Sequence, residues 1–154
     1  MKKALKDFLE KEQVAYEVIK HDLAYTAQET AAAEHIPGRR VTKTVIVRAD
    51  GEPKVLVLSA DHLVDFAKLK KVLSCRKVVL ATEEEIAQIF PGYEVGAIPP
   101  FASLIDVPLY IDEQLAGNDE VSVNACSHTE AVILKYSDFE RLSGGCAAAF
   151  GKHI

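Results

Sequence analysis

The sequence predicts an α+β fold in which strands outnumber helices. Its 154 residues suit one compact domain, residues 1–154, with a core of its own. Runs rich in β-branched residues alternate with segments of helical spacing, and no linker or repeat separates them. The clearest element is a β-hairpin, because an Asp-Gly turn lies between the β-branched runs 41–48 and 54–59.

Five further elements are expected before residue 82. Apolar residues at helical spacing predict an amphipathic helix from residue 2 to about 12, and residues 14–19 form a strand. Thr26 opens a capping-box pattern, and the helix that follows should stop at Pro37-Gly38. The remaining two are a helix from Asp61 to about Leu73 and a strand at 77–81.

The second half of the chain repeats these signals. Thr82-Glu83-Glu84-Glu85 is a capping box that opens a helix running to Phe90, and Ser137-Asp138-Phe139-Glu140 predicts another cap for a C-terminal helix. The glycine-rich tail 144–149 is expected to be loose. Three strands are predicted between these helices, at 109–111, 120–123 and 131–135.

Composition excludes several classes of protein. The net charge of -5 argues against a protein that coats nucleic acid through bulk charge, and we expect no DNA partner. No apolar run reaches the roughly 20 residues of a membrane span, and the N-terminus lacks the apolar core of a signal peptide. We therefore expect a cytoplasmic protein with no membrane partner.

Cofactor and metal motifs are missing from the sequence. The three cysteines form no CxxC pair, and three reduced thiols are the expected state. The five histidines show no metal-ligand spacing, and neither a P-loop nor GxGxxG occurs. No metal and no cofactor are expected.

The stretch Val95–Ser103 is the first candidate for a binding site. Pro99 and Pro100 remove two backbone donors and restrict two φ angles, whereas Gly96 permits a close approach by a ligand. A rigid loop of this kind is where binding residues concentrate. We interpret it as one wall of the site.

Lys43 is the second candidate, since it interrupts an apolar β-branched strand. It has the same parity as Val41, Val45 and Val47, so its ammonium faces the interior if those valines do. A buried ammonium without a partner is costly. The alternative is a lysine at the strand edge that extends into water.

The polar segment 124–129 is the third candidate, because Ser127 and His128 lie side by side in it. A nucleophile with its base is one interpretation. Adjacent side chains of an extended chain point to opposite faces, which favours a turn that lines a ligand pocket or a purely structural turn.

Together these features resemble the YbaK/prolyl-tRNA-synthetase-associated editing domain family. The resemblance spans about residues 15 to 143. It rests on the order of Lys43-Thr44 opening a strand, Gly96-x-x-x-Pro100 followed by Phe101, Val107 to Asp112, and Ser127-His128 before Tyr136-Ser137-Asp138-Phe139.

The resemblance implies a mixed, mostly antiparallel, barrel-like β-sheet surrounded by helices. It also implies an aminoacyl-tRNA deacylase, which cleaves the ester between a wrong amino acid and the terminal adenosine of a tRNA. The implied catalytic positions are Lys43 and Gly96. The implied substrate-binding positions are Thr44, Ala97, Ile98, Pro99, Pro100, Ser127 and His128.

The chain departs from the family pattern at two positions. Many members have glycine where this chain has Ala97 and Ala102. An added methyl at either position is expected to narrow a pocket lined by backbone, and this bears on amino-acid specificity.

The preferred hypothesis is a trans-acting deacylase for a small amino acid, with tRNA(Pro) as the candidate tRNA and a synthetase as a candidate partner. An aminoacyl ester needs only a positioned water and oxyanion stabilisation, so no cofactor is required. Lys43 could hold a phosphate or stabilise the oxyanion. The alternatives are a catalytically silent aminoacyl-tRNA or synthetase binding module, and a thiol-handling protein that uses Cys126.

Overall fold

A computed structural model describes all residues, 1–154, as six α-helices, two short 3-10 helices and ten strands. The α-helices are α1 Lys3–Lys11, α2 Ala27–Glu34, α3 Phe66–Leu73, α4 Glu83–Ile89, α5 Ala102–Ile105 and α6 Tyr136–Ser143. The strands are β1 Tyr16–Lys20, β2 Thr42–Ala49, β3 Glu52–Ser59, β4 His62–Val64, β5 Val78–Leu80, β6 Leu109–Asp112, β7 Glu120–Asn124, β8 Glu130–Lys135, β9 Cys146–Ala148 and β10 Gly151–His153. No helix is long and apolar enough to span a bilayer.

The strands form three sheets rather than a closed barrel. The five-stranded sheet has the order β5-β2-β3-β6-β9, the three-stranded sheet β1-β8-β7, and β4 pairs with β10. Only β3–β6 and β6–β9 are parallel, so the predicted mixed, mostly antiparallel α+β fold is confirmed. A single parallel bridge between Val41 and Ser122 joins the two larger sheets.

The predicted hairpin is confirmed. Strands β2 and β3 pair over eight positions, from Thr42 opposite Ser59 to Ala49 opposite Glu52. The turn between them has positive φ at both Asp50 (48°) and Gly51 (88°), as a two-residue turn that follows the sheet twist requires.

The hairpin has a hydrophobic cluster on each face. Ile46 and Val57 belong to the larger cluster, which also contains Leu5 of α1, whereas Val47 and Leu56 belong to the smaller one. The hairpin is therefore buried on both sides, and its position is set by the whole core.

Local capping signals predicted two helix starts well. At Thr82 both arms of the capping box form, and α4 ends before Phe90 as expected. Thr26 accepts a hydrogen bond from the backbone N–H of Glu29, so α2 begins where the pattern placed it. Helix α2 ends at Glu34, earlier than predicted, because the following His35 adopts the left-handed conformation.

Two predicted helix starts are wrong. Residues 62–64 form β4, and α3 begins only at Phe66, where the Asp65 carboxylate accepts from two backbone N–H groups. Pairing with β10 competes successfully with helix formation there, and a local pattern does not contain that partner. Helix α6 begins at Tyr136 without a side-chain cap, so Ser137 lies inside it.

The tail that was expected to be loose is ordered. Strand β9 adds to the edge of β6, and β10 pairs with β4. The buried Asp112 carboxylate accepts hydrogen bonds from the backbone N–H groups of Phe150 (3.2 Å) and Gly151 (2.9 Å). These contacts satisfy backbone N–H groups of the tail and hold it in place. The glycine-rich sequence of the tail gave no indication of them.

Gly145→Ala tests this docking of the tail. A Cβ at position 145 would lie 2.4 Å from Leu109 Cδ2 and 3.1 Å from the Leu109 carbonyl oxygen. We expect the free energy of unfolding to fall by about 1–3 kcal/mol in urea denaturation. Gly117→Ala is the control, since a Cβ at position 117 would have no atom within 4 Å. Equal stability of the two variants would contradict the docked tail.

Candidate active site

An open cavity of about 230 Å³ lies where the two larger sheets meet. Its walls are the segment before α2 together with α2 itself, the start of β2, the end of β7, and the turn that carries Ser127 and His128. Val41 and Ser122, which form the single bridge between these sheets, both line the cavity.

Five of the nine site residues predicted from the sequence line this cavity. They are Lys43, Thr44, Gly96, Ser127 and His128. They come from three separate parts of the chain. Their chemical roles stay predictions, since placement alone does not test them.

The other four predicted site residues are not among those that line the cavity. Ala97, Ile98, Pro99 and Pro100 are buried and do not line the cavity, and Ile98 belongs to the main core. Substrate binding by these residues stays a prediction. Neither Ala97 nor Ala102 lines the cavity, so the narrowing expected from their methyl groups is not present there.

Asn124, at the end of β7, connects the glycine loop to the neighbouring turn. Its Nδ2 donates to the Ile98 carbonyl oxygen at 2.8 Å, and its Oδ1 accepts from the Cys126 N–H at 3.1 Å. This connection places Gly96 against His128. Position 96 has φ at +85°, and a Cβ added there would lie 3.2 Å from His128 Cε1, so both the conformation and the available space favour glycine.

Lys43 is a half-buried cation without a close partner. It forms no ion pair within 4.0 Å, and burial lowers its pKa from the ordinary lysine value, an effect that the Asp61 carboxylate partly opposes. The Thr44 side chain projects from the face of β2 opposite to that of Lys43. Its buried Oγ1 has no hydrogen-bond partner. Both residues line the cavity, and the polar group of each side chain has no hydrogen-bond partner within the protein.

Ser127 and His128 do not form a nucleophile-base pair. Ser127 Oγ accepts from the backbone N–H groups of Thr129 (3.3 Å) and Glu130 (3.1 Å), which stabilises the turn. His128 Nε2 instead lies 3.5 Å from a Glu94 carboxylate oxygen. Its ring packs against Tyr25, with centroids 4.9 Å apart. The turn lines the cavity, and the hydrogen bonds of Ser127 also give it a structural role.

Sequence reasoning missed the buried polar cluster that Ser122, Glu34 and His21 form at the cavity. Ser122 Oγ donates to Glu34 Oε1 at 2.5 Å, and His21 Nε2 lies 4.0 Å from Glu34 Oε2. Burial raises the pKa of Glu34 above its ordinary value, while the hydrogen bond from Ser122 and the charge of His21 oppose the rise. Glu34 resembled a solvated residue at the end of an alanine-rich helix, so the sequence carried no signal for it.

No group of three or more His, Cys, Asp or Glu side chains is arranged to hold a metal ion. The polar groups of the cavity are instead one ammonium, hydroxyls, imidazoles and carboxylates. Such a set suits a small polar organic ligand.

In a comparison with protein families, the family described as the aminoacyl-tRNA editing domain matches residues 21–142 of this chain. The chain belongs to this family. The family expected from the sequence is thereby confirmed, and all five cavity-lining predicted residues fall within the matched region.

Two curated relatives show how the domain is used elsewhere. A proline–tRNA ligase of Desulfovibrio desulfuricans is 30% identical over 118 residues, which cover 77% of this chain but only 20% of the ligase. The prolyl-tRNA editing protein ProX of Acetoanaerobium sticklandii is 27% identical over 140 residues, covering 87% of this chain and 85% of ProX. The chain thus spans about a fifth of the ligase and most of ProX.

A solved structure confirms the YbaK-like fold. The crystal structure of a candidate trans-editing enzyme for prolyl tRNA synthetase superposes with a TM-score of 0.82, covering 96% of this chain and 94% of that chain. Its sequence identity is 20%, so the likeness concerns the fold.

Cys126 does not meet the requirement of the thiol hypothesis. It does not line the cavity, and burial raises its pKa to about 11, although Lys2 and the N-terminal ammonium act in the opposite direction. Its thiol is therefore protonated at neutral pH, and the thiolate is the reactive form.

Alkylation measures this difference directly. At pH 8 we expect iodoacetamide to label the exposed Cys146 much faster than Cys126, with the Cys126 rate rising as the pH approaches about 11. Peptide mass spectrometry reads both sites in the same sample. Labelling of Cys126 at least as fast as Cys146 at pH 8 would restore the thiol hypothesis.

Proposed function

We propose that residues 1–154 act as a single, freestanding editing domain that hydrolyses a mischarged aminoacyl-tRNA, with a small amino acid on tRNA(Pro) as the substrate. The bond cleaved is the carboxylic ester between the amino acid and the terminal ribose. Membership of the editing family supports the reaction class. Alignment over 85% of ProX, which is named as a prolyl-tRNA editing protein, supports action in trans and the choice of tRNA.

The observation that carries the proposal is the convergence of Lys43, Gly96 and His128 on one open cavity. Its volume of about 230 Å³ is several times the roughly 30 Å³ that one water occupies in the liquid. A small aminoacyl group and an attacking water therefore fit together. This room favours a hydrolase over a silent binding module.

In the proposed reaction, water attacks the ester carbonyl carbon, and the bond to the ribose oxygen breaks as that oxygen gains a proton. Lys43 supplies positive charge in a partly desolvated setting, where it stabilises negative charge more strongly than in water. Backbone N–H groups at Gly96 are the second candidate donors. Ser127 has no nucleophilic role here, because its oxygen is occupied by the turn.

The partner in this proposal is the acceptor end of an aminoacyl-tRNA. The exposed Tyr25, 67% accessible and packed on His128, lies at the cavity and offers an aromatic surface there. A synthetase is the second proposed partner, since proline–tRNA ligases contain a related segment.

Lys43→Ala tests the assignment. Release of labelled amino acid is measured from alanyl-, seryl- and cysteinyl-tRNA(Pro). We expect wild type to hydrolyse at least one of them and Lys43→Ala to be about a hundredfold slower, because it loses a charge that stabilises the transition state. Lys152→Ala, which removes an exposed lysine on β10, should retain the wild-type rate.

Two results would overturn this proposal in different ways. Near-normal turnover by a folded Lys43→Ala variant would remove Lys43 from the reaction. Binding of the charged tRNAs by wild type without any hydrolysis would instead favour the silent binding module.

A further inference from the structure

Only one oxygen of the buried Glu34 carboxylate forms a hydrogen bond within the protein. Its side chain is 0% exposed although the residue lines the cavity. Oxygen Oε1 accepts the hydrogen bond from Ser122 Oγ at 2.5 Å. Oxygen Oε2 is buried and has no hydrogen-bond partner. Such an atom is costly to leave unpaired, so it indicates a position where a donor binds.

The Nε2 atom of His21 is a second potential acceptor close to Glu34 Oε2. Its side chain is 2% exposed, and Nδ1 lies 2.7 Å from the carbonyl oxygen of Asp22. A carbonyl oxygen only accepts, so Nδ1 carries a proton, and when the ring is neutral Nε2 has a free lone pair. Nε2 lies 4.0 Å from Glu34 Oε2, which is longer than a hydrogen bond.

The charge distribution of the cavity narrows the choice of donor. The cavity-lining carboxylates are Glu34 and Glu130, and Glu130 is already paired with the N-terminal ammonium of Met1 at 2.6 Å. Glu34 Oε2, by contrast, has no hydrogen-bond partner, and the group at ion-pair distance from it is His21 Nε2 at 4.0 Å. Two neighbouring acceptors, one of them anionic, match a primary ammonium, which has three N–H donors and a positive charge.

We propose that Glu34 and His21 form the subsite that binds the α-ammonium group of the aminoacyl ester. This inference rests on the proposed deacylase function and names the group of the substrate that the inner part of the cavity recognises. One ammonium N–H bonds to Glu34 Oε2 and a second to His21 Nε2. Ser122 is a positioning residue, because its hydrogen bond orients the carboxylate.

This arrangement also has an electrostatic consequence. Burial by itself favours the protonated form of Glu34, whereas a bound cation favours the ionised form. Ligand binding and ionisation of Glu34 therefore reinforce each other. An uncharged ligand of the same shape would lack this charge attraction to the carboxylate.

The first test compares two esters that differ only in this group. Alanyl-tRNA(Pro) has the α-ammonium, and lactyl-tRNA(Pro) has a hydroxyl in its place. In Glu34→Gln the amide N–H₂ would oppose the ammonium, so we expect kcat/KM for the alanyl ester to fall about tenfold to hundredfold. For the lactyl ester we expect a change of less than about twofold. Glu17→Gln, an equal loss of charge at an exposed position on β1, should change neither value.

If Glu34→Gln lowers kcat/KM equally for both esters, Glu34 has a structural role. If it lowers kcat/KM for neither ester, Glu34 has no role in the reaction. Both results overturn the subsite.

The second test uses wild type alone and does not require hydrolysis or a folded variant. Binding of 3′-alanylamino-3′-deoxyadenosine and of its lactylamino counterpart is compared by calorimetry. We expect the ammonium compound to bind about tenfold more tightly or better. Equal affinity overturns the subsite whatever the enzyme hydrolyses. A clear preference with no ester hydrolysis would retain the subsite and reject the deacylase function.

Discussion

Burial of the β2–β3 hairpin on both faces is the constraint on which the rest of the structure depends. Two separate hydrophobic clusters hold its faces, so β2 has little freedom to slide or tilt. At its far end β2 pairs with β5, and at its start it meets β7 at a single bridge. Lys43 lies next to that bridge, where the ladder opens. Strand β2 therefore holds the half-buried Lys43 in a fixed position at the cavity.

The opposite wall depends on hydrogen bonds rather than on a continuous ladder. Asn124 holds the Ile98 carbonyl and the Cys126 N–H together, and the buried Phe101 anchors the loop in the core through its packing on Phe139, with ring centroids 5.9 Å apart. Only Gly96 of this loop reaches the cavity. The proline-rich segment thus serves as a support that presents one glycine beside His128.

The cavity combines groups of opposite charge. Lys43 is an ammonium without an ion-pair partner within 4.0 Å, and one oxygen of the Glu34 carboxylate has no hydrogen-bond partner. In our proposals the first stabilises negative charge at the ester and the second binds the α-ammonium. Partial burial strengthens both interactions relative to water. Recognition then depends on charge placement as well as on pocket size.

The sequence by itself determined the elements and residues that local patterns encode. The Asp50-Gly51 hairpin turn and the Thr82 capping box need no distant partner, and the order of motifs around Lys43, Gly96 and His128 identified the family.

The tertiary structure decided what depends on distant partners. Strand β4 exists because β10 pairs with it, and the burial of Glu34 depends on Ser122, 88 residues further along the chain. Helical periodicity and capping are short-range properties. Strand pairing at the tail depends instead on contacts between residues that are far apart in the sequence. The same is true of the approach of Glu34 to His21 and Ser122. A local sequence pattern does not contain information about such contacts.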